Sequence, residues 1–335
     1  MKILHLPYGI GMSTLSQALR NQGVDAASCS LKYNRYAYMA DFHLYLAHYP
    51  KQQAEKMRDD FFEEALRRYD IFHFHFGETF YPDRRDLKIL RDHGKKLIVN
   101  HRGSEARMLS VARSFQNPYV TVKSSWVNEE KIHENLSQLS QYIDHAIVND
   151  YELHAYVAPY YKKVHILPHA IDTAKFQPRY PVEGTKPLFI HAPTHREIKG
   201  STYIVKAVEQ LQQEGFDFDF KLIENMAHSE AMELYEKATL VVDQLLIGAY
   251  GHLSVESMAM GKPVVCYIRD DLRSKYPSDL PIISANPDTV YSTLKSLLIS
   301  PHNFKSIGEQ GRAYVKQYHD MDAVAKKLIN IYGEL

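Results

Sequence analysis

The sequence predicts an α/β protein built on two parallel sheets. Short β-branched or aromatic runs alternate with longer segments of helical period, which is the pattern of stacked βα units. The 335 residues suffice for two ordinary domains, each burying its own core. A proline-rich stretch with little helical period, PHAIDTAKFQPRYPVEGTKP, separates two such series. In the first, strands are expected at 2–6, 70–76, 96–100, 145–149 and 163–168. In the second, they are expected at 187–192, 218–224, 240–243, 263–267 and 281–284. The boundary falls near 170–185, with domains over 1–172 and 173–319. The closing segment MDAVAKKLINIYGEL sets Val324, Leu328, Ile331 and Tyr332 at helical spacing, as in a C-terminal helix packed on the nearer domain.

Composition narrows the function. Hydrophobic residues make up 45% and charged residues 24% of the chain, which argues against disorder. Forty basic side chains balance forty acidic ones, so no global positive field draws nucleic acid, and any anion site has to be local. Cys29 and Cys266 each sit in an apolar segment that reads as a strand or its end. They are expected to be reduced core thiols of a cytoplasmic protein. The start, MKILHLPYGIG, lacks the charged leader and apolar run of a signal peptide. No apolar stretch approaches the roughly 18–20 residues that cross a bilayer, which leaves room for peripheral contact at the inner face of a membrane. His73 and His75 alternate with phenylalanine in a strand pattern, and the remaining histidines show no paired ligand spacing, so no metal site is expected.

Three segments carry candidate chemistry. The loop Pro7–Ser13 follows the first strand and opens a helix; Gly9 and Gly11 let backbone N–H groups approach an anion. In the second domain, HAPTHREIKGS again links a strand to a helix, with Arg196 as a planar fork and Lys199 as a point charge for a diphosphate. The third, DQLLIGAYGHLSVESMAMGKPVV, runs from a strand through a glycine-bearing loop to a short helix and a second strand. Glu256 lies in that helix among Val255, Met258 and Ala259, so its carboxylate needs a partner, and a ribose diol would donate two hydrogen bonds. An internal salt bridge is the alternative.

GAYGHLSVESMAMGKPVV resembles the signature of the glycosyl transferases group 1 family, retaining GT-B enzymes of the family 4 type. IDHAIVNDYELHAYV with KKVHILPHAIDTAKFQP, HFHFG with KKLIVNHRGSEAR, and GRAYVKQYHDMDAVAKKLINIY resemble further parts of the same family, in order. The likeness implies two Rossmann-like domains facing across a cleft, the acceptor side in 1–172, the donor side in 173–319, and a helix at about 320–335 returning to the first domain. It implies that Glu256 binds the ribose hydroxyls, and that Arg196 and Lys199 neutralise the leaving diphosphate in place of a metal ion. The Gly9 to Gly11 loop would bring amides near the phosphates or the acceptor. His101 would sit beside the transferred sugar, and the main-chain N–H groups of Tyr250, Gly251, His252 and Leu253 would meet sugar hydroxyls.

The sequence departs from the family in two places that matter. Gly248 stands where the family has a glutamate that grips the donor sugar, and Thr194 stands where its phosphate-binding arginine is usual, with Arg196 closer to Lys199. Asp217 and Asp219 form an Asp-x-Asp pair, but they lie in the alternating segment GFDFDFKLIE and read as strand residues. Tyr33, Tyr36, Tyr38, Tyr45 and Tyr49 are read as partly packed loop and helix rather than an acceptor or lipid surface.

The expected activity is that of a metal-independent hexosyltransferase. It would move a sugar from a nucleoside-diphosphate donor, UDP favoured over GDP and with no separate cofactor, to a glycan, lipid-linked or small-molecule hydroxyl in polysaccharide or glycoconjugate synthesis. A nucleotide-sugar epimerase of the same fold and a non-catalytic nucleotide-sugar binding protein are the alternatives.

Overall fold

A computed structural model describes residues 1–33, 39–115, 117–122, 128–226 and 228–335. Tyr36 and Tyr38 lie outside them. The chain forms two compact units: Met1–Arg107, Asn128–Ala170 and Met321–Leu335 make the first, and Met108–Val127 with Ile171–Asp320 make the second. Residues 108–127, which lie within the first sequence-defined domain, thus group with the second unit.

The first unit holds a seven-stranded parallel sheet. Its strands are β1 (Lys2–Leu6), β2 (Asp25–Ser30), β3 (Phe42–His43), β4 (Ile71–His75), β5 (Lys96–Asn100), β6 (His145–Val148) and β7 (Lys163–Ile166). They are ordered β3-β2-β1-β4-β5-β6-β7. β2 and β3 are additions to the five strands expected. β2 reads DAASCS, without a β-branched or aromatic residue, and it is a strand because it pairs with β1. On one face of the sheet, Ile3, Ile71, Ile98 and Ile147 pack with Leu15 and Leu19 of the helix Ile10–Asn21 and with Val324, Leu328 and Tyr332 of the helix Met321–Gly333. Burial of each such side chain contributes about 1.5–3 kcal/mol relative to exposure.

The second unit holds β8 (Leu188–His191), β9 (Asp219–Leu222), β10 (Leu240–Val242) and β11 (Val264–Val265), all parallel and ordered β11-β10-β8-β9. Both faces are covered, because alternate residues enter different cores: Ile190 and Val241 pack with Val255 and Met258, whereas Phe189 and Leu240 pack with Ile204 and Leu211. The strand expected at 281–284 reduces to a single bridge, Val265 to Ile283. Asp217 and Asp219 both accept from Lys186 Nζ at 2.9 Å, an exposed cluster at the start of β9. Both cysteines are buried and free. Tyr33 and Tyr45 meet edge to face, and Tyr33 remains 61% exposed. No helix among the described residues is long and apolar enough to cross a membrane.

Candidate functional site

In an open parallel sheet, ligands bind beyond the carboxyl ends of the strands where the winding direction reverses. The second sheet reverses between β8 and β10, since β9 lies on one side of β8 and β10 on the other. The loops leaving those two strands carry the residues singled out from the sequence. Lys199 ends a one-turn helix, Arg196–Lys199, and Gly200 (φ 76°) turns the chain into the helix Ser201–Gln213. Lys199 therefore directly precedes the N-cap of the longer helix, and its side chain reaches sideways to the loop after β10. A Cβ placed on Gly251 would stand 3.9 Å from Lys199 Nζ, so the lysine lies beside the start of the helix His252–Ala259, whose N-cap is Gly251 with no side-chain cap. The positive end of the helix dipole joins the ammonium there.

Neither cation is alone. Lys199 Nζ donates to Asp243 Oδ1 at 2.6 Å and to Gln244 Oε1 at 2.9 Å. Asp243 is fully buried and also accepts from Ser254 Oγ at 2.6 Å. Burial alone would raise its carboxyl pKa, but the charge and hydrogen bonds of Lys199 and Ser254 outweigh it and hold the group below the ordinary range. Arg196 forms a fork onto Glu224, with Nε donating to Oε1 at 2.7 Å and Nη2 to Oε2. This second pair is exposed, 58% at the arginine, so it holds Arg196 weakly. His191, at the end of β8, ties the switch point together. Its Nδ1 lies 2.8 Å from the Val242 carbonyl and must donate, which leaves Nε2 to accept from Ser201 Oγ at 2.8 Å. Glu256, one turn into its helix, faces His252, with Oε1 3.3 Å from Nε2. Tyr250 is buried, with its hydroxyl 3.0 Å from His319 Nε2, and Leu253 packs against the adjoining core.

The loop before that helix explains the departure at Gly248. Its φ of +90° disfavours any side chain, and a Cβ would stand 3.0 Å from Arg269 Cβ. Arg269 is 6% exposed and held by Asp271 at 2.6 and 2.8 Å. Asn117, from the 108–127 segment, donates to the carbonyls of Leu246 and Ile247 at 2.9 and 3.1 Å. No sequence signal marked that support, which joins positions about 130 residues apart. Lys262 of the Gly-Lys-Pro-Val-Val run is buried and donates to the Arg179 and Glu236 carbonyls, so it ties backbone segments together rather than facing a ligand.

The first sheet reverses between β1 and β4. Gly9, after β1, has φ +116°, and a Cβ there would fall 2.7 Å from the Phe76 ring at the end of β4. Tyr8 stacks on the same ring at 4.8 Å. A Cβ on Gly11 would fall 1.9 Å from Arg102 Nη2, so the guanidinium lies against the glycine loop. Arg102, unmarked in the sequence reading, has only Asn149 Oδ1 at 3.4 Å as a side-chain partner among the described residues. Its neighbour His101 is fully buried, with Nε2 2.9 Å from Tyr161 Oη and Nδ1 3.9 Å from Glu105 Oε1. Burial first, and the Arg84 charge second, lower its pKa to about 3. As folded, His101 is neutral and presents no nitrogen to solvent.

No protein-family model and no curated protein matches the sequence. Solved structures do match in fold. A sucrose-phosphate synthase from Thermosynechococcus elongatus superposes with a TM-score of 0.65 at 14% identity, over 100% of this chain and 99% of that one. HepE from Anabaena, in complex with UDP-glucose, gives 0.64 at 11% identity over the whole of both chains. A UDP-GlcNAc 2-epimerase from Neisseria meningitidis, bound to UDP-GlcNAc, gives 0.58 at 12% identity, again over the whole of both. With two Rossmann-like parallel-sheet units and full-length likeness to these structures, the chain has the α/β architecture of the GT-B fold.

Proposed function

We propose that the protein is a glycosyltransferase that takes a nucleoside-diphosphate sugar as donor, UDP-linked in preference to GDP-linked, and passes its hexose to an acceptor hydroxyl with retention. The observation that carries this reading is the meeting of Lys199 with the uncapped start of the glutamate helix at the switch point of the second sheet. An ammonium beside a helix N-terminus suits a diphosphate, and its stabilisation grows as charge collects on the leaving group. Glu256, one turn along, suits the ribose diol. The main-chain N–H groups from Tyr250 to Leu253 suit sugar or phosphate oxygens.

The two cation pairs differ in what they offer such a donor. The buried Lys199–Asp243 pair fixes the lysine where it is. Arg196 is held only by an exposed pair, so it can leave Glu224 for a phosphate at little cost. In this reading no metal ion is needed at the diphosphate, and His101 acts from inside the fold, positioning the loop after β5. The acceptor class, a place in polysaccharide or glycoconjugate synthesis, and peripheral contact with the inner face of a membrane belong to the same proposal.

The likeness to the Neisseria epimerase favours one second reading, inversion of the sugar without transfer. Incubation with a panel of UDP- and GDP-sugars, with and without acceptors, separates the two. Acceptor-dependent release of free UDP is the expected result. Inverted sugar would favour the epimerase, and donor binding without turnover would leave a binding protein.

A further inference from the structure

Beneath the glycine loop of the first unit the sheet carries a buried polar cluster that the proposed transfer does not use. His5 on β1 is the register partner of His73 on β4, and His75 follows two residues later, so all three side chains leave the same face. None is exposed to solvent. Three donor nitrogens, one per ring, lie within 4.8 Å of one another. Tyr332 of the C-terminal helix joins them, its hydroxyl 2.7 Å from His73 Nδ1 and 3.2 Å from His5 Nε2, and His5 Nδ1 lies 3.1 Å from His75 Nε2.

These contacts do not satisfy the cluster. Three neutral imidazoles and one phenol bring four protons to three hydrogen bonds, whichever tautomers are chosen. One proton must therefore sit at an end of the chain, on His73 Nε2 or His75 Nδ1, and neither atom has a hydrogen-bond partner. Asn100, the register partner of His75 on β5, is also fully buried, with both side-chain polar atoms unpaired. So many unmet polar atoms in one buried region are costly, and such groups call for a guest.

We propose that His5, His73 and His75, with Tyr332 as fourth donor, form a buried site for a zinc-class divalent ion in the first unit. Imidazole nitrogen suits zinc, copper and nickel, and four donors suit the closed tetrahedral site of a structural zinc. Burial disfavours the imidazolium form of each ring, which leaves them in the form that ligates. On binding, the phenolic proton leaves to solvent and the phenolate offsets one of the two charges. Bonds of about 2.0–2.1 Å require donors no more than about 4.2 Å apart, so the ion draws the rings together. With all three rings fully buried, the ion enters as the unit folds.

Protein produced in zinc- or cobalt-supplemented medium tests this. The expected result is one ion per chain that survives gel filtration. The cobalt form should show the intense visible bands of a four-coordinate nitrogen and oxygen site, and the zinc form a higher Tm than metal-free protein. His73→Gln and His5→Gln should each reduce bound metal to background. His165→Gln, in the separate His145–His165 pair across β6 and β7, should leave it unchanged. If the core variants do not fold, the cobalt spectrum of the unaltered protein decides. No bound metal, weak six-coordinate bands, or a thiolate band from Cys29 or Cys266 each overturns the proposal.

Discussion

The two sheets reverse direction in the same manner, yet their switch points are furnished differently. At the switch point of the second unit both cations have a resident carboxylate: Lys199 has Asp243 and Arg196 has Glu224. In the first, Arg102 lies against the Gly9 to Gly11 loop with no carboxylate at ion-pair distance among the described residues, beside a stacked Tyr8 and Phe76 and a neutral His101. An anion arriving at the second unit meets charges already balanced, and must rely on helix N–H groups and on whichever pair yields. At the first unit Arg102 has no such pair, and Glu105, which accepts from its backbone N–H, is the carboxylate whose charge acts on it. Burial decides which pair yields, since a buried pair broken on one side leaves an uncompensated charge, whereas an exposed pair re-solvates.

The largest effect expected from this contrast is at Lys199. Lys199→Ala strands Asp243, which is 0% exposed, and should cost about 3–5 kcal/mol of stability in a urea titration. Arg196→Ala should leave stability unchanged and weaken donor binding only. Equal stability losses in the two variants would break the distinction. Restoring the family residue with Gly248→Glu should also harm rather than help. The backbone there is left-handed and Arg269 fills the space, so a loss of about 1–3 kcal/mol is expected with no gain in donor affinity. A tighter-binding, stable variant would show that the loop rearranges.

Glu256→Ala should weaken donor binding by about 1–3 kcal/mol in calorimetry if it loses hydrogen bonds to the ribose, with unfolding little changed because the side chain is only partly buried. Unaltered affinity in this variant and in Lys199→Ala together would remove the donor site from the second unit. The effect of pH is seen only below neutrality. His101 titrates near 3 and His191 near 4, against 6.5 unfolded, so the unfolded chain binds more protons in between and stability falls as pH drops. The His101 contribution should extend over a wider window, from about 6.5 down to about 3. His101→Gln should flatten that part of the curve, provided the variant folds.

Much of this was legible in the linear chain, and the exceptions share a cause. Alternating β and helical periods gave the fold class, and ten expected strands cover nine of the eleven observed, with 281–284 reduced to a bridge. Phe189 and Ile190 show why: a two-residue period is written locally, so burial on both faces can be read without knowing the neighbours. β2, with its small residues, became a strand only through pairing with β1. The glycine loops and the helix bearing Glu256 were likewise visible, but the partners of Lys199 and Arg196 were not, since the carboxylates concerned lie 44 and 28 residues further along.

The sequence by itself thus determined the fold class, the two glycine loops and the residue types offered beyond the strand ends, because these follow from short-range periodicity and turn chemistry. Tertiary structure alone decided which charges are balanced, why Gly248 must be glycine, and that His5 joins His73 and His75. The register of β1 on β4 brings those histidines together across 68 and 70 residues of chain, and no local pattern encodes such a register.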